Sequence, residues 1–124
     1  PQLSNSSSLI ETGEVYWADL VPRSGSEQQG RRPVIVISHN AFNQTPGWRS
    51  IIVVPISTSL TQARRGPSAV PLTQGTAGLS QPSVVLCHQV TTLDRRKLTR
   101  RIGELSPTEL SLVEHGLKAA MDLF

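Results

Sequence analysis

The stretch GSEQQGRRPVIVIS, from Gly25 to Ser38, does most to decide the fold of this chain. Its second half, Pro33–Ser38, is a continuous run rich in β-branched residues, which predicts a strand buried on both faces. Pro33 fixes φ at the junction and biases Arg32 toward an extended backbone, so the scaffold aims that side chain. A guanidinium presented in this way favours phosphate binding, because its planar fork keeps paired donors at any working pH. The alternative is a surface loop in which Arg31 and Arg32 keep a basic protein soluble.

Other segments of the chain also have the composition of strands. They are Val15–Leu20, Ile51–Ile56, Ala69–Leu72 and Ser83–Cys87, the last continuing to Val90. Pro71 places its segment at a sheet edge, since proline lacks the amide that a central strand needs. Leu98–Leu105 is predicted to be a short strand or a helical turn. Polar loops rich in Gly, Pro, Ser and Gln separate these segments, among them Asn40–Arg49.

The C-terminal part of the chain changes to helical periodicity. Ser106-Pro-Thr-Glu109 is a capping box with proline at the first helical position. One apolar face follows, made of Leu110, Val113, Leu117, Ala120, Met121 and Phe124. We therefore predict a mainly β (α+β) fold, a small curved barrel-like sheet with a C-terminal α-helix. Residues 1–10 are expected to be a flexible tail, and residues 11–124 a single domain.

The composition excludes several classes of protein. The 124 residues are 37% hydrophobic and 17% charged, with no apolar run near the ~20 residues of a membrane span. The net charge of +3 favours a polyanionic or acidic partner. The single cysteine, Cys87, rules out an internal disulfide or a Cys-based zinc site, and we expect it to be buried and inert. No secretory signal is expected, and a reducing cytoplasm fits. No P-loop, HExxH or GxSxG motif is present, so no cofactor or metal is predicted.

Five sequence blocks together resemble the PemK/MazF family of toxin endoribonucleases. They are GEVYWADL, P-x-x-GSEQ-x-G-x-RPVIVIS, IIVVPIST, SVVLCHQVTTLD and LTRRIGEL, and they run from about Gly13 to the terminal helix. The resemblance implies an SH3-like barrel of the CcdB/PemK type that forms a homodimer. It also implies a type II toxin that cleaves single-stranded mRNA at a short motif without metal. The products would carry 2′,3′-cyclic phosphate and 5′-hydroxyl ends, and an antitoxin with a disordered acidic segment would be the protein partner.

Four residues are candidates for the chemistry. Arg32 matches the family's catalytic arginine and would stabilise the reacting phosphate, although a structural pairing with Glu27 is the alternative. Ser57 stands where the family carries a catalytic Thr, and a turn residue ending a strand is its alternative. Glu27 would orient Arg32 or accept a proton, or it is an inert loop carboxylate. His88, where relatives usually carry Asp or Glu, would act as base or acid, or it is a structural histidine.

A second set of residues is predicted to contact the RNA without reacting. The set is Ser26, Gln28, Arg31, Trp48, Thr58, Arg64, Arg65 and Gln89. Trp48 would stack an unpaired base, unless it anchors its loop instead. In the family, the loop that here holds Arg64 and Arg65 also meets the antitoxin.

Two other functions stay open at this point. Toxins of the CcdB type share the fold and bind DNA gyrase without cutting anything. A degenerate family member would bind RNA or an antitoxin and no longer cleave. The pair formed by Arg32 and Ser57 favours nuclease chemistry over both.

Overall fold

The computed structural model describes residues 9–20, 30–59, 61 and 66–123. Its strands are β1 (Glu14–Leu20), β2 (Gly30–Val36), β3 (Ser50–Ser57), β4 (Ala69–Leu72), β5 (Ser83–Leu86), β6 (Thr91–Asp94) and β7 (Leu98–Glu104). Its helices are α1 (Asn40–Asn43) and α2 (Pro107–Met121), with 3-10 turns at Thr76–Gly78, Cys87–Gln89 and Arg95–Lys97.

The strands form one antiparallel sheet in the order β4-β5-β3-β2-β1-β7, and β6 pairs with β3 outside this path. The predicted mainly β fold with a terminal helix is confirmed. The β4 strand lies at the edge of the sheet, as Pro71 predicted. Leu98–Glu104 is a strand, which settles the choice between strand and helical turn.

The central strands bury both of their faces. Val34 and Val36 of β2 pack into one apolar cluster with Val53, whereas Ile35 packs into a second cluster with Val54. Successive strand residues point to opposite faces, so both clusters need apolar residues at consecutive positions. The prediction of strands buried on both faces is confirmed for Val34–Val36 and for the second half of β3, although Ile52 is 40% exposed.

The block Ser83–Val90 is not one strand, which corrects the sequence-based expectation. β5 ends at Leu86, a 3-10 turn covers Cys87–Gln89, and β6 begins at Thr91. β5 and β6 both pair with β3, and the register shifts by three residues between them. That shift equals the three residues of the turn. β5 and β6 therefore pair with the same side of β3, and the turn bulges out between them. A run of apolar residues contains no sign of such a break.

The loop predicted at Asn40–Arg49 contains the short helix α1. The His39 side chain caps it, because Nδ1 accepts the Ala41 N–H at 2.8 Å. Asn43 is fully buried, and its amide donates to the Ser38 carbonyl at 2.7 Å. Polar side chains thus hold this loop against the end of β2.

Helix α2 begins as predicted. The Ser106 hydroxyl accepts the Glu109 N–H at 3.1 Å, and the Glu109 carboxylate accepts the Ser106 N–H at 2.8 Å. Val113 and Leu117 are buried, but Ala120 and Met121 are exposed, so the packed face is shorter than its periodicity indicated. Phe124 lies outside the described residues.

Cys87 is buried under helix α2, in agreement with the sequence-based expectation. Its thiol contacts the Val113 carbonyl, with an Sγ to oxygen distance of 3.7 Å. Burial raises the pKa of the Cys87 thiol to about 11, so the group stays neutral and unreactive near neutral pH.

Candidate active site

A cleft of about 600 Å³ opens where β2 and β3 stop pairing. Its lining comes from β1, β2, β3, β7 and the segment that leads into β5. The lining residues are Trp17, Arg32, Pro33, Ile56, Ser57, Thr58, Ser59, Gly78, Leu79, Ser80, Gln81, Ser83, Arg100 and Ile102. Arg32 and Ser57, which the sequence nominated for the chemistry, both line this cleft.

Strand register explains why Arg32 and Ser57 line the same cleft. The ladder between β2 and β3 ends at the pair Val34 and Pro55. Two residues beyond that pair on each strand are Arg32 and Ser57, positions that a continuation of the same register would set across from each other, and both line the cleft. Since side chains alternate along a strand, both positions project to the same side of the sheet.

The Arg32 side chain is exposed at the cleft. Within the described ranges, none of the four ion pairs includes it. An exposed guanidinium keeps its donors for an incoming anion. Glu27, the alternative partner for Arg32, lies outside the described residues.

The Ser57 hydroxyl is held in place by the backbone. The Ser59 N–H donates to Ser57 Oγ at 3.0 Å, and Ser57 is only 7% exposed. This hydrogen bond to a backbone amide two residues away is typical of a serine in a turn, so Ser57 does have the structural role of a turn residue at the end of β3. It also fixes the rotamer and leaves the hydroxyl proton available for a ligand. Thr58, the next residue, also lines the cleft.

Among the described residues, four that the sequence nominated do not line the cleft: Arg31, Trp48, His88 and Gln89. His88 and Gln89 lie in the turn after β5, whereas the cleft meets β5 at its first residue, Ser83. The His88 and Gln89 side chains approach each other, with 3.4 Å between their Nε2 atoms. His88 and Gln89 therefore do not join Arg32 and Ser57 within one copy of the chain.

Trp48 is placed at the opposite end of β3. Seven residue steps separate Ser50 from Ser57, which corresponds to roughly 24 Å along an extended strand. The indole N–H of Trp48 donates to the Ser50 carbonyl at 2.7 Å, and its ring packs on Phe42 with 5.4 Å between centroids. These contacts favour the loop-anchoring alternative.

Five nominated residues lie outside the described residues. They are Ser26, Glu27, Gln28, Arg64 and Arg65. Their roles stay predictions.

The structure adds two cleft residues that sequence reasoning missed. Trp17 of β1 and Arg100 of β7 are directly opposite each other in the strand register. Arg31, nominated for RNA contact, places its guanidinium carbon 5.5 Å from the centroid of the Trp17 ring. Only the pairing of β1 with β7 reveals the arginine beside the indole.

A polar cluster occupies the other side of β1. The Tyr16 hydroxyl donates to Glu14 Oε1 at 2.9 Å, and Arg101 Nε donates to Glu14 Oε2 at 2.7 Å. Burial, together with the Glu14 carboxylate, raises the pKa of Tyr16 well above its ordinary value. Tyr16 thus stays protonated as the donor of a structural network.

The wall of the cleft beside β7 is tightly packed. A Cβ on Gly103 would lie 2.3 Å from the Ala77 carbonyl oxygen, and one on Gly78 would lie 2.7 Å from the Ile102 carbonyl oxygen. The turn that contains Ala77 and Gly78 therefore rests directly on β7. Glycine at both positions permits this approach.

Neither a membrane helix nor a metal cluster is found in the described parts of the chain. No helix there has the length and apolar character to cross a bilayer. Likewise, no group of three or more His, Cys, Asp or Glu side chains among those residues could hold a metal ion.

Comparison with known proteins gives a consistent picture. Residues 11–121 match the family model described as a PemK-like, MazF-like toxin of a type II toxin–antitoxin system. The chain is 36% identical over 115 residues to Endoribonuclease MazF6 of Mycobacterium tuberculosis, covering 93% of this chain and 99% of that protein. It superposes on the crystal structure of MazF from Deinococcus radiodurans with a TM-score of 0.75 and 28% identity, covering 93% of this chain and 98% of that one. It also superposes on MazF in a MazE–MazF structure from the same organism, with a TM-score of 0.69, 27% identity, and coverage of 94% and 98%.

Proposed function

The chain belongs to the PemK-like, MazF-like family of toxins of type II toxin–antitoxin systems and is an endoribonuclease; we propose that it cleaves single-stranded mRNA at a short motif without a metal ion. The observation that carries this proposal is the shared cleft of Arg32 and Ser57. A cation and a hydroxyl held by the backbone, both lining one concave site, suit recognition of a phosphodiester.

The reaction uses the nucleophile that RNA itself contains. The ribose 2′-oxygen attacks the adjacent phosphorus, and the bond from phosphorus to the 5′-oxygen breaks. A base removes the 2′-hydroxyl proton, and an acid supplies a proton to the leaving 5′-oxygen. The products are a 2′,3′-cyclic phosphate and a 5′-hydroxyl, and DNA is inert because it lacks the 2′-hydroxyl.

Arg32 supplies the positive charge that this reaction needs. The crowded phosphate gains negative charge as the 2′-oxygen attacks, and a fixed guanidinium stabilises that charge. Arg32 is also our candidate for the hydrogen bond or proton to the leaving oxygen. Because a guanidinium fills the electrostatic role, the chemistry does not require a metal ion.

Ser57 holds a phosphate oxygen through its hydroxyl proton. Its Oγ already accepts the Ser59 N–H at 3.0 Å, and a hydroxyl that accepts one hydrogen bond donates a second more strongly. The base is assigned to Glu27. His88 stays an alternative base only if a second copy of the chain brings it to the cleft.

Two protein partners follow from the proposal. Membership of a toxin–antitoxin family implies a cognate antitoxin. We place on the cleft a disordered acidic antitoxin segment that folds as it binds, since the cleft carries Arg32 and Arg100. The toxin itself is proposed to be a homodimer that acts in the cytoplasm.

Replacing the Ser57 hydroxyl tests whether the cleft carries the reaction. Ser57→Ala should slow cleavage at saturating RNA by about 10²-fold, because one preorganised donor to the phosphate is lost. Ser57→Thr should stay within about threefold of wild type, because the rotamer of Ser57 is already fixed by Ser59. Single-turnover rates on one defined RNA, with thermal melting as a folding control, give the comparison.

Two results would count against this assignment. Wild-type rates in Ser57→Ala would remove Ser57 from the reaction. A large gain of activity in Ser57→Thr would show that the natural serine impairs the site, as expected of a degenerate family member.

A further inference from the structure

The wall of the cleft that β1 and β7 form carries an aromatic and a cationic side chain, Trp17 and Arg100. Trp17 and Arg100 face each other across the β1–β7 ladder, so their side chains share one side of the sheet. Both line the cleft, and Trp17 is only half-buried. An indole and a guanidinium are thus presented together to whatever binds there.

The charge on this wall is not neutralised within the described residues. Arg101, the next residue along β7, forms ion pairs with Glu14 at 2.7 Å and Glu104 at 2.9 Å. The ion pairs found among the described residues do not include Arg100 or Arg31. Asp19 lies across from Arg31 in the register, yet the Arg31 guanidinium packs over Trp17 instead.

The wall is displaced from the reacting pair. Along the sheet, β3 and β7 are separated by β2 and β1, so three strand spacings, or roughly 14 Å, separate Ser57 from Arg100. A phosphate held between Arg32 and Ser57 is therefore not the natural partner of Arg100. A neighbouring nucleotide of the same strand is better placed.

We propose that Trp17 and Arg100 form a nucleotide-binding subsite, in which a base stacks on the Trp17–Arg31 pair and Arg100 binds the phosphate next to the reacting one. This inference rests on the proposed function and names residues for RNA positioning. Aromatic rings and guanidinium planes both stack on unpaired bases, and arginine supplies charge for the backbone. The two residues position the strand and take no part in bond breaking.

Arg100→Gln tests the phosphate contact, with Arg96→Gln as the matched control. Arg96 is 76% exposed and pairs with Asp94, which lies across from Ser50 at the far end of β3. The probe is a single-stranded RNA with one 2′-deoxyribose at the mapped cut, so that binding is measured without cleavage. Arg100→Gln should weaken binding about tenfold near 0.1 M salt and reduce the slope of log affinity against log salt by about 0.7.

The kinetic signature separates positioning from catalysis. On cleavable RNA, Arg100→Gln should raise KM by a similar factor, while the rate at saturating RNA stays within about threefold of wild type. The proposal is overturned if Arg100→Gln changes affinity and slope no more than Arg96→Gln does. It is also overturned if the loss appears only in the saturating rate.

Fluorescence tests the stacking contact directly, because the chain has two tryptophans. In Trp48→Phe, Trp17 is the only tryptophan, and saturating deoxy-substituted RNA should quench the tryptophan emission. In Trp17→Phe, Trp48 should respond little, since it lies at the other end of β3. Unchanged Trp17 emission at saturating RNA would overturn the stacking assignment.

Failure of the subsite and failure of the proposed function are distinguishable. If wild type binds RNA but never cuts it, the proposed function falls. No cut site is then mapped, so the Arg100→Gln and Trp17 binding tests are run on an unstructured mixed-sequence RNA and still decide the subsite. If wild type cuts RNA while Arg100→Gln and the Trp17 signal show no effect, the subsite alone falls.

Discussion

Arg32→Ala should lower the rate of RNA cleavage at saturating substrate by roughly 10³-fold. Arg32 is exposed at the cleft that Ser57 also lines, and no described carboxylate forms an ion pair with its guanidinium. It is therefore placed to stabilise charge on the phosphate in the transition state. Because the side chain is exposed, the free energy of unfolding should change by less than about 0.5 kcal/mol.

Arg32→Lys separates charge from geometry. Lysine keeps the positive charge but loses the planar fork, so we expect a smaller loss of about 10- to 10²-fold in the same rate. Arg96→Ala provides the control, since it removes an exposed arginine distant from the cleft. A wild-type rate in folded Arg32→Ala would refute the assignment of Arg32 as the phosphate-stabilising cation.

Gly103→Ala should reduce the free energy of unfolding by roughly 3 kcal/mol and lower Tm by about 10 °C. The added methyl carbon would lie 2.3 Å from the Ala77 carbonyl oxygen and 2.7 Å from its carbonyl carbon. Both atoms belong to backbone, so β7 or the turn must move. Denaturant unfolding followed by circular dichroism measures the loss.

Gly47→Ala is the matched control for this packing effect. Gly47 has φ of +82°, but a Cβ there meets no atom within 4 Å. Its cost should be limited to backbone strain of about 1 kcal/mol. Equal losses in the two variants would show that the turn is not packed on β7 as described. Because the turn and β7 form one wall of the cleft, Gly103→Ala should also weaken RNA binding.

Apolar patterning was enough to locate the central strands and the terminal helix. The runs at Pro33–Ser38 and Ile51–Ile56 lie on strands that bury most of these residues, and the Ser106 capping box starts α2. The break after Leu86 was missed, since Cys87 fits an apolar run as well as its neighbours do. Helix α1 was missed because its four residues are too short for helical periodicity.

The site was predictable only in part, because the pairing between strands decides which residues come together and the sequence does not show that pairing. Arg32 was found because it lies directly before the proline that opens a strand, whereas Ser57 was nominated through the family resemblance, which places a catalytic Thr at that position. Trp17 and Arg100 are far apart in sequence, and only the pairing of β1 with β7 brings them together. His88 looked suitable by chemistry alone, yet the turn that interrupts β5 and β6 places it away from the cleft. Residue type indicates possible chemistry, whereas strand pairing decides which groups meet.

The most direct test of the account is metal-free cleavage by the wild-type protein. A long unstructured RNA is incubated with the protein in excess chelator, and the product ends are mapped. We expect discrete cuts that leave 2′,3′-cyclic phosphate and 5′-hydroxyl ends, and no cut where the reacting ribose is 2′-deoxy. Cleavage that requires an added divalent metal, or that leaves 5′-phosphate ends, would contradict the account. An absence of cuts from folded protein would also contradict it and would favour a toxin that binds its target, such as DNA gyrase, without cutting.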